Sequence, residues 1–582
     1  MRVLLVHPED SPRAGPWSRQ SWDLIVDLGG SSRFSEEVWG QQYGCPVLRV
    51  DTFRYPVADA KLVREIFSAG RGSLIDEEGI DWWDVTSLRI APEALTAVAL
   101  GRVTAEISPS AELWATRPGW PASVVAAWSG RGFRSFGNSL PARTAGRTVH
   151  YARLLRHFSA AQIIEIFLDK YDSGYRGRSR FVAEPKRRAD PVVLLPSAYG
   201  NVSRMAAAYA GLLPQQSFLL VATRRSARQF VPPANVEVRN LAAYAKADAP
   251  SAEIAFLIKR WFDLRASLVS SRELQVLSRT GILDSFPDWI RSGVRMRVAW
   301  RQVLEHEPVC GVLCGDDSNP YTRLPVLLAA GRKIPTVDFH HGAFDGRYLL
   351  KDLPGDVYLA KNEMEQDYLV RVCGLSQERI KIGAPAGYGS PANEPRPQAG
   401  TSAIFFSEPY EIAGIRAEEV YREILPALCR VTGGIGQDVI VKLHPFESRS
   451  QRERMIAKIL TPAERRRVTV LEGPLTDELL ARAAFGLTVE STTVMDCLQS
   501  GVCCFLCGWL ASSPYGYAQQ YARFGVGEVL QNVEQFSEIP KRLAEFHIRR
   551  EKVPSLSDPV DPGMLEGWLT SGPNERSARR AS

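Results

Sequence analysis

Residues 439–447 read Val439-Ile-Val-Lys-Leu-His-Pro-Phe-Glu447, an apolar strand whose far end carries Lys442, His444, Pro445 and Glu447. Ligands of open parallel sheets bind beyond the carboxyl ends of their strands, so this cluster is a candidate phosphate and acid/base site. Further on, Leu487-Thr-Val-Glu-Ser-Thr-Thr493 repeats the form and leads into a helical pattern through Leu498 and Gly501. The two stretches read as adjacent crossings of one sheet whose loops face the same ligand.

Working outward, the same strand-and-helix alternation starts three times, which predicts an α/β fold with parallel sheets. The last series opens at Ser402-Ala-Ile-Phe-Phe-Ser407. It predicts helices over 416–431, 450–460, 476–483 and 493–500, and strands over 438–443, 467–471, 486–489 and 502–506. The middle series begins at Pro191-Val-Val-Leu-Leu-Pro-Ser-Ala-Tyr-Gly-Asn-Val-Ser203. It continues through strands at 217–222 and 236–238, a helical section at 252–306, and strands at 309–314, 336–339, 357–359 and 379–382. The first series fills residues 1–168. The expected organisation is therefore an N-terminal α/β domain (1–168), a basic linker (169–190), two Rossmann-like domains (191–390 and 401–545), and a C-terminal helix and tail (546–582). The run Gly387-Tyr-Gly-Ser-Pro-Ala-Asn-Glu-Pro-Arg-Pro-Gln-Ala-Gly400 is rich in proline and glycine and reads as the linker between the Rossmann-like pair.

Composition sets the outer bounds. A chain of 582 residues is too long for one core and predicts three to four domains at roughly 150 residues each. The net charge of +6 is small and interleaved with acids, which gives no support to nucleic-acid binding. Nine cysteines scattered through apolar runs, Cys504-x-x-Cys507 among them, read as buried reduced thiols of a reducing compartment. Met1-Arg-Val-Leu-Leu-Val-His7 starts a strand at once, without a cleavable signal pattern, and no uninterrupted apolar window reaches the roughly 18 residues of a membrane span. The expected location is the cytoplasm, with peripheral association at the inner face of the membrane left open. The stretch 169–190, rich in turn residues and positive charge with three aromatics, reads either as a solvated interdomain linker or as a basic, aromatic arm over an anionic ligand or membrane.

The chemistry-bearing loops suit a nucleotide phosphate. Lys442 and His444 can meet an anion, and the hydroxyls of Ser491, Thr492 and Thr493 at a helix start add neutral donors assisted by the helix dipole. Glu447 and Glu490 read as surface or capping carboxylates, or as partners of ribose hydroxyls and of His444. In the middle series Ser197, Gly200, Asn201 and Ser203 lie at a strand-to-helix turn where backbone N–H groups can approach an anion, although Asn201 or Ser203 would equally cap the helix. His7-Pro8-Glu9-Asp10 copies the His-Pro pattern without a partner loop and reads as coincidence.

Lys442-Leu-His-Pro445, the turn Glu490-Ser-Thr-Thr493 and the helix Met495-Asp-Cys-Leu-Gln-Ser-Gly501 together resemble GT-B glycosyltransferases of the His-Pro type. These are the bacterial polysialyltransferases, capsule Kdo transferases and teichoic-acid glycerophosphotransferases, which use cytidine-activated donors. Thr336-Val-Asp-Phe-His-His-Gly342, Asp356-Val-Tyr-Leu359 and Arg379-Ile-Lys-Ile-Gly-Ala-Pro385 are similar to the acceptor-side course of the same group. The resemblance spans roughly 190–540 and leaves 1–165 unmatched. It implies a GT-B-like pair of Rossmann-like domains and a nucleotide-sugar donor, CMP-sugar favoured. It also implies a glycan or lipid-linked acceptor, a role in surface-polysaccharide biosynthesis, and no cofactor beyond the nucleotide-sugar substrate. His444 would contact the donor phosphate, and Ser491 with Thr492 would form the Ser-Ser/Thr phosphate site.

The family's acidic general-base motif has no clear counterpart in 190–210. Asp316 and Asp317, at the end of the 309–314 strand, are the nearest pair of carboxylates that could deprotonate an acceptor hydroxyl. His341, beside His340 and Gly342 at another strand end, is the alternative base. A metal is not required, because no Asp-x-Asp stands next to the donor loops. Two rival readings are a nucleotide-sugar 2-epimerase of the same fold, and a non-catalytic nucleotide-sugar-binding or assembly protein.

Overall fold

The computed structural model describes residues 1–7, 10–13, 15–29, 36–50, 57–136, 164, 185–245, 250–268, 271–342, 354–385, 400–410, 417–510, 517–549 and 559–570. Of the basic linker 169–190 only 185–190 are described, and of the linker 387–400 only Gly400; the tail beyond 570 lies outside these residues.

Three parallel sheets carry the chain, each started by an apolar strand buried on both faces, as strands covered by helices must be. The first holds β1 (Arg2–Val6), β2 (Leu24–Asp27), β3 (Val47–Arg49), β4 (Glu112–Ala115) and β5 (Arg134–Ser135), in the order β3-β2-β1-β4-β5. The second has seven strands: β6 (Val192–Ser197), β7 (Phe218–Ala222), β8 (Val236–Asn240), β9 (Val309–Cys314), β10 (Thr336–Phe339), β11 (Val357–Ala360) and β12 (Ile380–Ile382). Their order is β12-β11-β10-β9-β6-β7-β8. The third runs β15-β14-β13-β16-β17-β18, from β13 (Ser402–Phe406), β14 (Asp438–Lys442), β15 (Val468–Leu471), β16 (Ala483–Thr488), β17 (Cys504–Cys507) and β18 (Glu528–Leu530). Numbered within each sheet, all three follow the Rossmann order 3-2-1-4-5. The strand order therefore reverses beside the first strand of each, between β1 and β4, β6 and β9, and β13 and β16. Those reversals open the crevices in which such sheets hold ligands.

The expected α/β architecture, a pair of Rossmann-like sheets preceded by an extra α/β layer, is the one observed. The helical section expected over 252–306 is three helices, Ser251–Ser267, Arg272–Arg279 and Phe286–His306. The Ser271 side chain caps the second of them, accepting from Leu274 N at 3.1 Å, and Gly281 turns the chain with a left-handed φ of 77°.

These three helices also fasten the first layer to the second. Trp261 stacks on Phe286 at 4.2 Å between ring centroids and on Trp83 at 6.0 Å. Arg297 is 1% exposed and joins Glu253, through two bonds of 2.6 and 2.7 Å, to Asp76 of the N-terminal layer. Arg323, also 1% exposed, pairs with both Asp84 and Asp317. Between the second and third sheets, helix Tyr517–Arg523 meets helix Glu363–Asp367: Gln520 Nε2 donates to the Met364 carbonyl at 2.8 Å, and Arg523 pairs with Asp367.

The chain then returns. Val560 N donates to the Ala384 carbonyl at 2.9 Å, and helix Pro562–Thr570 buries Leu565 and Leu569 against the middle sheet. Gly311 permits this close approach, because a Cβ there would lie 2.1 Å from the Leu569 carbonyl oxygen. Among the described residues no helix is long and apolar enough to cross a membrane.

Candidate functional site at the mouth of the third sheet

The register of the third sheet levels its loops. Phe406 at the end of β13 pairs with Lys442 of β14 on one side and Thr488 of β16 on the other. Positions two residues beyond, His444 and Glu490, therefore flank Ser407 and Glu408 at one height. Neighbouring strands lie about 4.8 Å apart, so the two outer loops face each other across roughly 10 Å.

Ser407 and Glu408 brace opposite loops. Ser407 Oγ accepts from the Tyr421 hydroxyl at 2.7 Å and donates to Glu447 Oε1 at 2.8 Å. Glu447 is 6% exposed. Its Oε1 also accepts from Arg452 Nε at 2.8 Å, and its Oε2 accepts from the backbone N–H of His444 at 2.8 Å. Both oxygens are thus spent inside the protein. Of the two functional readings of Glu447, orientation of His444 fits this geometry and contact with a ribose does not.

Glu408 works on the other loop: its Oε1 accepts from Thr488 Oγ1 at 2.9 Å, Val489 N at 3.2 Å and Glu490 N at 2.9 Å. Burial and the neighbouring Glu490 carboxylate push the Glu408 carboxyl up to about 7. Sequence reading passed over Glu408. Its signal was Phe405-Phe-Ser-Glu-Pro409, an acid just beyond the strand that turns out to be central.

His444 is half-buried. Its Nδ1 accepts from Phe446 N at 3.2 Å, so the ring proton sits on Nε2. Burial and the nearby Lys442 ammonium pull its pKa down to about 4. At neutral pH His444 is therefore a neutral ring that carries its proton on Nε2. Pro445, next to it, is exposed.

Lys442 corrects an expectation. Its Nζ donates to the carbonyls of Leu443 at 2.9 Å and Gly473 at 2.6 Å, and the residue is 6% exposed. Burial pulls its pKa down, opposed by Glu447 and Glu472. It clips the loop after β15 to the His-Pro turn instead of facing a phosphate.

On the β16 side, Ser491 Oγ accepts from Thr493 N at 3.3 Å, and Ser491 N donates to Thr488 Oγ1 at 3.3 Å. Among the described residues the Thr492 hydroxyl caps nothing, and the buried Thr493 hydroxyl has no hydrogen-bond partner. The Thr493 hydroxyl is closed off from solvent, so of the two it is Thr492 that stands half-buried at the loop. The helix behind them, Thr493–Gln499, is seven residues long, so its dipole adds less than a long helix would.

The middle sheet treats its predicted residues differently. Ser197 Oγ bonds Ser203 Oγ at 2.8 Å, and Ser203 Oγ donates to the Ala227 carbonyl at 2.6 Å. Both serines are buried and tie β6 to the loop after β7, with their hydroxyls engaged inside the protein. Asn201 is exposed and bonds Arg204, while Gly200 opens helix Gly200–Ala210, which Tyr199 precedes without a side-chain cap. Neither Asn201 nor Ser203 caps the helix.

Asp317 is 1% exposed and pairs with Arg323 at 3.2 Å. A carboxylate buried against Arg323 does not face an acceptor hydroxyl, so its assignment as base is withdrawn. Asp316 spends Oδ1 on Ser318 N at 2.9 Å and Oδ2 on Asn319 Nδ2 at 3.0 Å, which shapes the turn into helix Pro320–Gly331. It too is a turn-forming acid. His340 is buried, with Nδ1 2.9 Å from the Gly342 carbonyl, and stacks on His341 at 5.1 Å. Lys361, just beyond β11, holds this loop by donating to the carbonyls of His340 and Gly342 at 3.1 Å each. His341 stands half-buried at the end of β10.

At the N-terminal His-Pro copy His7 N donates to Asp10 Oδ2 at 2.7 Å, as His444 N does to Glu447. Residues 8 and 9 lie outside the described residues. All nine cysteines are free, and burial raises the thiols of Cys503, Cys504 and Cys507 well above their ordinary range, as expected of inert reduced thiols.

No protein-family model matches the chain, and no curated protein matches it. Solved structures similar to it include CalG4, the calicheamicin glycosyltransferase, at 14% identity over 68% of this chain and 98% of that one, TM-score 0.37. UDP-GlcNAc 2-epimerase from Methanocaldococcus jannaschii is 12% identical over 66% of this chain and 99% of that one, TM-score 0.41. The spinosyn rhamnosyltransferase SpnG is 12% identical over 65% and 99%, TM-score 0.37.

Glu408 yields a pH prediction. A carboxyl whose folded pKa is raised binds more protons folded than unfolded, so its contribution to stability falls as pH rises from the unfolded value through about 7. His444, with its pKa lowered, contributes in the opposite sense between about 4 and 6.5. The Glu408 contribution is therefore read as a difference between proteins. Glu408→Gln, which keeps an acceptor for the three donors, is expected to match wild type at pH 5. At pH 8 it is expected to be more stable by about 1–3 kcal/mol. Equal urea midpoints at pH 8 would show that Glu408 ionises normally.

Proposed function

We propose that this chain is a glycosyltransferase. It takes a sugar from a nucleotide-activated donor, CMP-sugar by preference, to a glycan or lipid-linked acceptor in surface-polysaccharide biosynthesis. The observation that supports the reading is the levelled mouth of the third sheet, where the neutral His444 and the Thr492 hydroxyl stand on the loops either side of β13, beside the strand-order reversal. These are uncharged donors of the kind that stabilise a departing phosphate as its charge develops. The preference for cytidine rests on the resemblance of Lys442-Leu-His-Pro445 and Glu490-Ser-Thr-Thr493 to the His-Pro transferases. With Asp316 and Asp317 engaged in the fold, His341 is the remaining base for the acceptor hydroxyl. In this reading the chain works in the cytoplasm, at the inner face of the membrane when the acceptor is a lipid, and needs no metal.

Acceptor-dependent release of CMP from CMP-sugars is the test, run beside UDP- and GDP-sugars with glycan and lipid-linked acceptors. CMP released only with acceptor present is the expected result. Turnover of a UDP-sugar without acceptor would make the chain an epimerase, and nucleotide binding without any turnover would make it a binding protein.

A further inference from the structure

Helix Ser251–Ser267 has two apolar faces, and the described residues pack against one of them. Leu257, Trp261 and Leu264 point inward, beside the Glu253 that meets Arg297, and Trp261 stacks there on Phe286 and Trp83. A surface helix ordinarily turns a polar face to water. Here Ala252, Ala255, Lys259, Phe262 and Ala266 are exposed at alternating spacings of three and four, with Phe256 and Asp263 exposed beside them. Phe256 and Phe262 are 55% and 54% exposed. Such a spacing is the seam along which one helix packs on another.

The charges on this face discriminate between occupants. Among the described residues Lys259 and Asp263, one helical turn apart, make no ion pair within the chain. The neighbouring arginines are engaged elsewhere: Arg265 pairs with Asp284 at 2.7 Å, and the Arg260 guanidinium lies 5.7 Å from the Phe256 ring centre. A lipid surface favours basic residues on such a helix, and Asp263 stands within the patch. A second copy of the chain fits better. Two of these helices packed antiparallel about a two-fold axis level with residue 261 set Lys259 of each opposite Asp263 of the other. The same axis brings the two Phe262 rings side by side and lays each Phe256 over the small Ala266. The face is thus complementary to itself in charge and in shape, which is the condition for a symmetric dimer.

We infer that the outward face of helix Ser251–Ser267 is a self-association surface, through which two copies of this chain pair antiparallel with reciprocal Lys259 to Asp263 ion pairs across the axis. This goes beyond the proposed reaction and does not depend on it. One helix from each chain makes a small interface, so the dimer is reversible.

Sedimentation velocity of the full chain over about 1–100 μM tests the surface, since small interfaces associate at such concentrations. Wild type is expected to pass from monomer to dimer across this range. Phe262→Glu, at an exposed position, is expected to weaken the association about tenfold or more. Lys259→Asp is expected to weaken it likewise, because it sets carboxylates against each other on both sides of the axis. Adding Asp263→Lys exchanges the two charges and is expected to restore association to within about threefold of wild type. Should Phe262→Glu fail to fold, the charge-exchange series alone decides. The inference is overturned if wild type stays monomeric throughout, if Phe262→Glu dimerises as wild type does, or if the double exchange associates no better than Lys259→Asp. Vesicles of phosphatidylcholine and phosphatidylglycerol offer the competing occupant. Their binding by a monomeric wild type, abolished in Phe262→Glu, would assign the face to a lipid surface and overturn the dimer.

Discussion

Arg297→Met is expected to lower stability by about 3–5 kcal/mol, because it strands two carboxylates in the interior. Arg297 is 1% exposed, and the Asp76 and Glu253 side chains it joins are 0% and 5% exposed. Asp76 has further duties. Its Oδ1 accepts from the backbone N–H groups of Glu78 and Ile80 at 2.9 Å, and its Oδ2 from Trp82 Nε1 at 2.8 Å. Loss of the arginine therefore loosens both the loop that leads to Trp82 and the seam between the first layer and the helices of the second. Adding Asp76→Asn and Glu253→Gln to Arg297→Met removes the buried charge and is expected to recover part of the loss. Urea unfolding reads both. A loss below about 1 kcal/mol would mean that the seam is open to water.

The second large effect is expected at Glu447. Glu447→Ala leaves Arg452, 3% exposed, without its carboxylate, and takes away the acceptor that holds His444 N and Ser407 Oγ. A stability loss of about 3–5 kcal/mol is expected from breaking this buried ion pair. Nucleotide binding should be lost along with it, since the His-Pro turn no longer has its brace. The two consequences separate in Glu447→Ala/Arg452→Met, which is expected to regain stability but not binding. Retention of nucleotide binding by Glu447→Ala would mean that the turn holds its shape unaided and that Glu447 has no positioning role.

Much of the fold is legible in the sequence because apolar strands in parallel sheets stand out against amphipathic helices. The strand expected over 438–443 is Asp438–Lys442, and the one expected over 336–339 is Thr336–Phe339. The strand expected over 486–489 begins earlier, as Ala483–Thr488, since Ala483-Ala-Phe-Gly is as compatible with a helix end as with a buried strand. At the site, the histidine and the hydroxyls are readable because their positions follow from strand ends alone. Their partners are not. Glu408 matters because β13 lies between β14 and β16, and Lys442 is engaged because Gly473 comes within its reach; neither neighbour is near in sequence. The same holds for Asp317, whose fate is set by a buried arginine that also serves Asp84 of another layer. Adjacent acids at a strand end look alike whether they are catalytic or paired, and tertiary charge partners decide between the two.

The proposed donor site at the mouth of the third sheet is tested most directly by calorimetric titration of CMP into wild type and His444→Ala, with UDP and GDP alongside. Wild type is expected to bind CMP, and His444→Ala to bind it about 10–100-fold more weakly at an unchanged melting temperature, the cost of one donor to a charged phosphate. Equal CMP affinity in the two proteins would remove His444 from the site, and binding of UDP or GDP alone would overturn the cytidine donor.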